Sequence, residues 1–233
     1  PSVSVLLLEA GAPDKALELH VPAAFSKLFR GQYDWGYDTV PQAELGGRTI
    51  FWPRGKTLGG SSSLNAMMWV RGFAADYDAW AESAGDAWSW TSLLPYFLRV
   101  EHTDNATPGL HGTDGPQAVE HQRDPRPHTA AFLDAAREAG HEVTPANLPE
   151  GQGFSQTMVS QHRGGRASTA DAYLRPARRR PNLRVVTDAL VRRVTFSDDD
   201  GESEPRATGV YVEIGGVTRH ALARREVILS GGA

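Results

Sequence analysis

Apolar residues follow several different rhythms along this chain. Val3-Ser4-Val5-Leu6-Leu7-Leu8 is a short apolar run closed by Glu9-Ala10-Gly11. That is the pattern of a strand inside a parallel sheet, apolar on both faces. Residues 12–54 are rich in turn formers and aromatics without a period, and predict a compact irregular segment. Residues 55–65 form a glycine- and serine-rich loop. Residues 76–85 predict a short helix, with Asp76 as N-cap and Gly85 as stop. Residues 88–98 predict a second, capped by Ser89 or Thr91 and apolar along Leu93, Leu94, Phe97 and Leu98. In it, Pro95 is tolerable only in the first turn.

Residues 103–127 are polar, with Gly and Pro, and read as loop with short strands. Residues 129–139 predict a helix with Ala131, Phe132, Ala135 and Ala136 on one side, ended by Gly140. Ser168-Thr169-Ala170-Asp171 has the form of a capping box, with Asp for the usual Glu, and opens a helix carrying Tyr173 and Leu174. The last stretch changes character. Residues 183–187, 190–196, 207–214, 217–223 and 227–229 all read as strands, with turns at Asp198-Asp199-Asp200-Gly201 and Gly215-Gly216. The expected fold class is α/β with α+β elements. There is no internal repeat.

Composition narrows the function classes. A chain of 233 residues that is 40% hydrophobic and 22% charged holds one large domain or two small ones. The net charge of −4 gives no reason to expect nucleic acid. The cluster Arg175, Arg178, Arg179, Arg180 and Arg184 reads as a solvated face. With no cysteine, disulfides, thiolate metal sites and cysteine nucleophiles are excluded. No apolar run reaches the ~18 residues of a membrane span, and residues 1–9 show no signal-peptide pattern. The expected location is cytoplasmic, with a peripheral place at the membrane left open. Both ends, at Pro1-Ser2 and Gly231-Gly232-Ala233, read as cut from something longer.

Two features carry chemistry. An acidic residue ending a strand, here Glu9, is the second-strand signal of a dinucleotide-binding βαβ unit, where its carboxylate accepts from ribose hydroxyls. A charged residue where a strand meets solvent is the competing reading. The sharper feature runs from Pro53-Arg54-Gly55-Lys56-Thr57-Leu58 through Gly59-Gly60-Ser61-Ser62-Ser63-Leu64-Asn65-Ala66-Met67 to Gly72. Gly59-Gly60 frees the backbone to approach a ligand, Ser61 and Ser62 supply hydroxyl donors, and successive N–H groups make a concavity for a pyrophosphate. The Asn65 amide both donates and accepts. A flexible linker would not run at once into Met67-Met68-Trp69-Val70.

The run from Gly55 to Asp78 resembles the signature of the glucose–methanol–choline (GMC) oxidoreductases, closest to bacterial choline-dehydrogenase-like members. So do Tyr33-Asp34-Trp35-Gly36-Tyr37, Trp88-Ser89-Trp90, His111-Gly112-Thr113-Asp114-Gly115-Pro116, Gly165-Arg166-Ala167-Ser168-Thr169-Ala170-Asp171, and the close from Arg225 to Ala233. The resemblance covers nearly the whole chain. It implies an FAD-binding Rossmann-like domain with a β-meander and part of a substrate-binding domain. Residues 1–72 would be the first FAD-binding part with the flavin-covering loop, 73–160 the partial substrate domain, and 161–233 the second FAD-binding part.

The resemblance implies roles for particular residues. Glu9 would hold the adenosine ribose. Arg54, Gly59, Gly60, Ser61 and Ser62 would wrap the FAD, and Asn65, Ala66 and Met67 would lie close to its pyrophosphate and flavin ring. Val191 would meet the adenine through its backbone, and Gly231 would pass near the cofactor again. The implied reaction is hydride transfer from a primary alcohol, choline-like or other, to flavin N5. The electron acceptor is left open among oxygen, a quinone or another. The family's G-x-G-x-x-G turn would lie upstream, and its catalytic histidine, with its His or Asn partner, after Ser230-Gly231. No catalytic residue and no metal ligand is therefore assigned, and the isolated chain is expected to lack alcohol oxidation and to bind FAD weakly. Some members attach FAD to a histidine just before the Arg-Gly-Lys run. Trp52 stands there, and no histidine lies between His20 and His102, so FAD is expected to be non-covalent. Two other readings stay open: a non-catalytic flavin-binding or assembly protein, and an NAD-dependent dehydrogenase, which the Leu58-Gly59-Gly60-Ser61-Ser62 loop disfavours. The eight histidines are scattered and read as surface or loop residues.

Overall fold

The computed structural model describes residues 3–197 and 205–232. The turn expected at Asp198-Asp199-Asp200-Gly201 and the terminal Ala233 lie outside the described residues. The chain forms two compact units. One takes the segment ending at Leu19, then Ala24–Leu64, and everything from Leu174 onward; the other takes His20–Ala23 and Asn65–Tyr173.

In the first unit, Val5–Leu8 pairs in parallel with Leu183–Val186, Val5 opposite Leu183 and Leu8 opposite Val186. The parallel pairing matches the sequence expectation, but the two-sided burial does not: Val5 and Leu6 are 48% and 46% exposed. The meander forms as an antiparallel sheet of Ala189–Phe196, Ala207–Ile214 and Val217–Leu222. Its register shifts after Val191 and again after Thr195. Residues 227–229 do not form the expected strand. They pair with no described strand, and Ile228 and Leu229 are exposed. A doubly apolar run adopts the strand state through pairing along its edges, and this one pairs with none of the described strands.

The irregular segment 24–64 holds one short antiparallel ladder, Tyr37–Asp38 with Phe51–Trp52, and is otherwise ordered largely by side chains. Leu19, Leu28 and Leu64 bury together under Ala16, Phe29 and Tyr33. Asp34 is the hub. Its Oδ2 accepts from Arg30 N–H (2.7 Å), and its Oδ1 from Gly36 N–H (3.0 Å) and Arg54 N–H (3.1 Å). Burial opposes its ionisation, but these three N–H donors outweigh it and hold the carboxyl below its ordinary range.

The second unit holds the helices. Ala74–Ala84 ends at Gly85 as expected, but Asp76 sits in its first turn rather than before it. From there its carboxylate accepts from Phe73 N–H at 2.8 Å, so it caps by reaching back. Ser89 caps Trp90–Val100 by accepting from Ser92 N–H. Pro95 lies in the second turn of that helix, not the first, and removes one interior N–H donor. Tyr77 fills the angle between the two helices, with ring contacts to Trp90 at 5.7 Å and Phe97 at 5.4 Å. Met68–Trp69 and Glu120–His121 flank Met158–Val159 in a small antiparallel sheet. Val119, Ala146 and Met158 pack beneath it against Trp69. Pro127–Glu138 is the predicted third helix. The capping box is real: Ser168 N–H donates to Asp171 Oδ2 (3.0 Å), and Asp171 N–H to Ser168 Oγ (3.2 Å). It opens a π turn, Ala170–Leu174, leading into Arg175–Ala177, rather than a regular helix. The arginine cluster from Arg175 to Arg184 is exposed, as its composition suggests.

Candidate cofactor-binding site

In the first unit the end of the Val5–Leu8 strand and the glycine-rich loop are fastened together. Glu9 N–H donates to Val186 O (3.0 Å), and Glu9 O accepts from Ala189 N–H (2.9 Å). Its Oε1 accepts from Gly11 N–H at 2.7 Å. The other carboxylate oxygen accepts no hydrogen bond among the described residues. Half-burial raises the Glu9 carboxyl above its ordinary range, and the Gly11 N–H pulls it part of the way back. Ala12 O accepts from the fully buried Thr57 hydroxyl (2.8 Å) and from Leu58 N–H (3.3 Å). A Cβ on Gly11 would stand 1.9 Å from Lys56 O, so only glycine lets the two backbones meet.

The loop itself turns through two left-handed glycines, Gly59 at φ 87° and Gly60 at φ 53°. It then enters the 3-10 turn Gly60–Ser63. A Cβ on Gly60 would meet nothing within 4 Å, so this face of the loop is open. Ser62 Oγ donates to Gly59 O (2.6 Å) and so braces the turn. Ser61 is exposed, and its Oγ accepts from Gly55 N–H (3.1 Å), which leaves its hydroxyl hydrogen to point elsewhere. Arg54 donates from Nη1 to Pro53 O, and its guanidinium lies 5.0 Å from the Trp52 ring centre. Val191 is two residues beyond Ala189, opposite Val212, where the register breaks. Gly231 is exposed.

A carboxylate at a strand end, an open double-glycine turn and a serine hydroxyl are the donors and acceptors that a ribose and a pyrophosphate require. The first unit therefore fits the adenosine-diphosphate part of a dinucleotide. It brings Glu9, Arg54, Gly59, Gly60, Ser61, Ser62 and Val191 into one unit, although they span more than 180 positions of sequence.

Asn65, Ala66 and Met67 belong to the second unit. Met67 is buried and holds φ 62°, which costs a non-glycine residue ~1–3 kcal/mol. Its N–H donates to Asn65 Oδ1 (2.9 Å), and its carbonyl accepts from Ser160 N–H (2.8 Å). Asn65 and Ala66 are exposed.

The chain matches the family model of the GMC oxidoreductases over residues 9–233. It belongs to that family. Members of it are FAD-binding flavoproteins. An uncharacterised GMC-type oxidoreductase of Mycobacterium tuberculosis is 54% identical over 237 residues, covering 100% of this chain and 44% of that protein. The oxygen-dependent choline dehydrogenase of Brucella anthropi is 42% identical over 229 residues, covering 97% of this chain and 40% of that one. Among solved structures, pyridoxine 4-oxidase from Mesorbium loti superposes with a TM-score of 0.87 at 32% identity, over 95% of this chain and 43% of that one. The chain thus spans less than half the length of these GMC relatives. The mixed helix and strand fold expected from sequence is the fold of these flavoproteins. None of these relatives favours the NAD-dependent or the non-catalytic reading. No helix of the described residues is long and apolar enough to cross a membrane.

Two features of the second unit were not legible in the sequence. His111 lies in a loop, one of the two placements expected of the histidines, but it is only 5% exposed there. Its Nδ1 accepts from Thr107 N–H (2.9 Å), and its neighbour Gly112 donates to Glu101 Oε2 (3.1 Å), which draws the segment inward. Burial lowers the His111 imidazole below its ordinary range. Arg71 and His121 act in the same direction, while Glu101 and the Ala146 carbonyl oppose them. Protonation thus favours the unfolded chain. The stability His111 contributes is present above its unfolded value near pH ~6.5 and is lost as pH falls through the lower folded value, by up to ~1.4 kcal/mol per pH unit. Urea midpoints of wild type and His111→Gln, measured between pH 8 and pH 5, are expected to converge in acid; parallel curves would refute the assignment. The second missed feature is that His102, His121 and His162, scattered in sequence, line one cleft with Glu120 and Arg123.

Proposed function

We propose that this chain provides the FAD-binding framework of an oxidoreductase that acts on the CH–OH group of a primary alcohol, choline-like or other. Residues 1–72 and 161–233 serve FAD, and residues 73–160 serve the substrate. The observation that carries the reading is the junction of Gly11 with Lys56 and of Ala12 with Thr57, which ties a ribose-binding carboxylate to a pyrophosphate-binding turn. Glu9 takes the adenosine ribose hydroxyls on its open oxygen. Gly59, Gly60, Ser61 and Ser62 take the pyrophosphate, with Arg54 beside them, and Val191 takes the adenine by its backbone. Gly231 passes along the cofactor. In the second unit, Asn65, Ala66 and Met67 are the residues that meet the flavin end. When bound, FAD supplies the hydride acceptor; these residues bind and orient it.

The alcohol class rests on the relatives' names, which include a choline dehydrogenase and a pyridoxine 4-oxidase. We place the reaction in the cytoplasm or at the membrane periphery, with oxygen, a quinone or another compound as acceptor. Attachment is non-covalent, since Trp52 stands where a histidine would be needed. The test is an absorption spectrum of the purified chain, and of the full-length natural protein, after incubation with FAD and gel filtration. Flavin bands that travel with the full-length natural protein and leave it on acid precipitation are expected, with weaker retention by this chain alone. Bands that stay with the precipitate would reverse the non-covalent assignment. A colourless chain whose full-length natural protein is also colourless would reverse the FAD assignment.

A further inference from the structure

Asn65 receives two hydrogen bonds on the same atom. Its Oδ1 accepts from Met67 N–H at 2.9 Å and from Arg166 Nη1 at 3.0 Å. A side-chain amide has two flip states, and hydrogen-bond partners decide between them. Flipping this amide would set its NH2 group against two donors, one of them a charged guanidinium, and would forfeit a charge-assisted bond. Both hydrogens on Nδ2 are thereby committed away from Arg166 and Met67.

We infer that Arg166 is a positioning residue: it locks the Asn65 amide in one flip state, so that Asn65 meets FAD only as a donor, to an oxygen of the cofactor. The inference rests on the reading that Asn65 faces the cofactor.

The support around the pair is built for rigidity. Arg166 is 5% exposed, and a buried cation needs fixed partners. Burial lowers its pKa to about 10, with Asp171 working against the shift, so it stays charged at neutral pH. Asp171 is itself held by the capping box with Ser168. The turn that Asn65 closes cannot relax either, because Ser160 grips Met67 O with both N–H and hydroxyl. The run Gly165-Arg166-Ala167-Ser168-Thr169-Ala170-Asp171 thus does more than start a helix. Its capping box fixes Asp171, whose charge favours the Arg166 cation, and Arg166 aims Asn65.

The test is a double-mutant cycle on FAD affinity in the full-length natural protein, read by flavin fluorescence, with the urea midpoint of each apo variant recorded alongside. Asn65→Ala and Arg166→Met are each expected to weaken FAD about tenfold, the effect of one well-placed hydrogen bond. The double variant is expected to match Asn65→Ala to within about threefold, because Arg166 acts through Asn65. Asn65→Asp, which keeps the Arg166 contact but presents oxygen in place of the donor, is expected to bind FAD worse than Asn65→Ala. If Arg166→Met does not fold, Arg166→Lys takes its place, keeping the charge and losing the planar fork. Losses that multiply in the double variant overturn the inference while leaving Asn65 at the cofactor. So does an Arg166 variant that binds FAD like wild type. If Asn65→Ala binds FAD normally, the cofactor reading of Asn65 fails first and the inference falls with it.

Discussion

Glu101→Ala is expected to lower the stability of the second unit by about 3–5 kcal/mol, the cost of stripping the partner from a buried charge. Glu101 is fully buried and forms an ion pair with Arg71, whose side chain is 3% exposed. Glu101 Oε1 also accepts from the Trp69 indole N–H at 2.9 Å, and Oε2 from Gly112 N–H at 3.1 Å. Arg71 Nη1 donates to Leu110 O, its N–H donates to Asn147 Oδ1, and its guanidinium lies 5.1 Å from the Phe97 ring centre. Removing the carboxylate strands the guanidinium in an apolar site and leaves two neutral donors open. The pair as a whole is a different matter. Glu101→Leu with Arg71→Met replaces both charges with similar volume, and is expected to recover most of the loss. Urea unfolding followed by tryptophan fluorescence reads both variants, since Trp69 sits on the network. A loss below about 1 kcal/mol for Glu101→Ala, the range of an exposed pair, would sink the assignment.

Gly55→Ala is expected to abolish flavin retention by the loop. A Cβ there would stand 2.2 Å from Gly60 O, against backbone that has no other place to go. The Gly55 N–H to Ser61 Oγ bond would open with it. Gly60→Ala is the comparison. Its Cβ meets no protein atom within 4 Å, so within the protein itself it adds only the left-handed backbone penalty of about 1–2 kcal/mol. FAD affinity is therefore expected to fall in the order wild type, Gly60→Ala, Gly55→Ala, with at least about tenfold, or ~1.4 kcal/mol, between the last two. The reverse order would show that the loop does not close through Gly55.

The features legible in the sequence are those written in neighbouring residues. The meander is visible because each strand alternates or runs apolar between turn formers, and the helices stop at Gly85 and Gly140 because glycine ends helices locally. The glycine-serine run is visible as a ligand loop, and its resemblance names the family. What the sequence hides depends on distant partners. Nothing near Thr57 points to Ala12, 45 residues away. Nothing in the sequence points from Arg71 to Glu101, 30 residues away, yet their pairing buries them both. Asp34 lies inside a run notable in sequence only for its family likeness, yet its three N–H contacts order the segment from Arg30 to Arg54. Residues 227–229 err the other way, since apolar character alone does not supply a neighbouring strand.

The pairing of Val5–Leu8 with Leu183–Val186 also sets an order of events at the ribosome. Made at ~5–20 residues per second, the first strand waits roughly 9–35 s for its partner. The stretch Asn65–Tyr173, which supplies nearly all of the second unit, is complete before that partner emerges. Synthesis therefore favours the second unit as the earlier to fold, while an apolar strand stays open to chaperones or to wrong pairing. Slowing translation would lengthen that vulnerable interval, and substitutions that leave the finished molecule unchanged could still lower its yield.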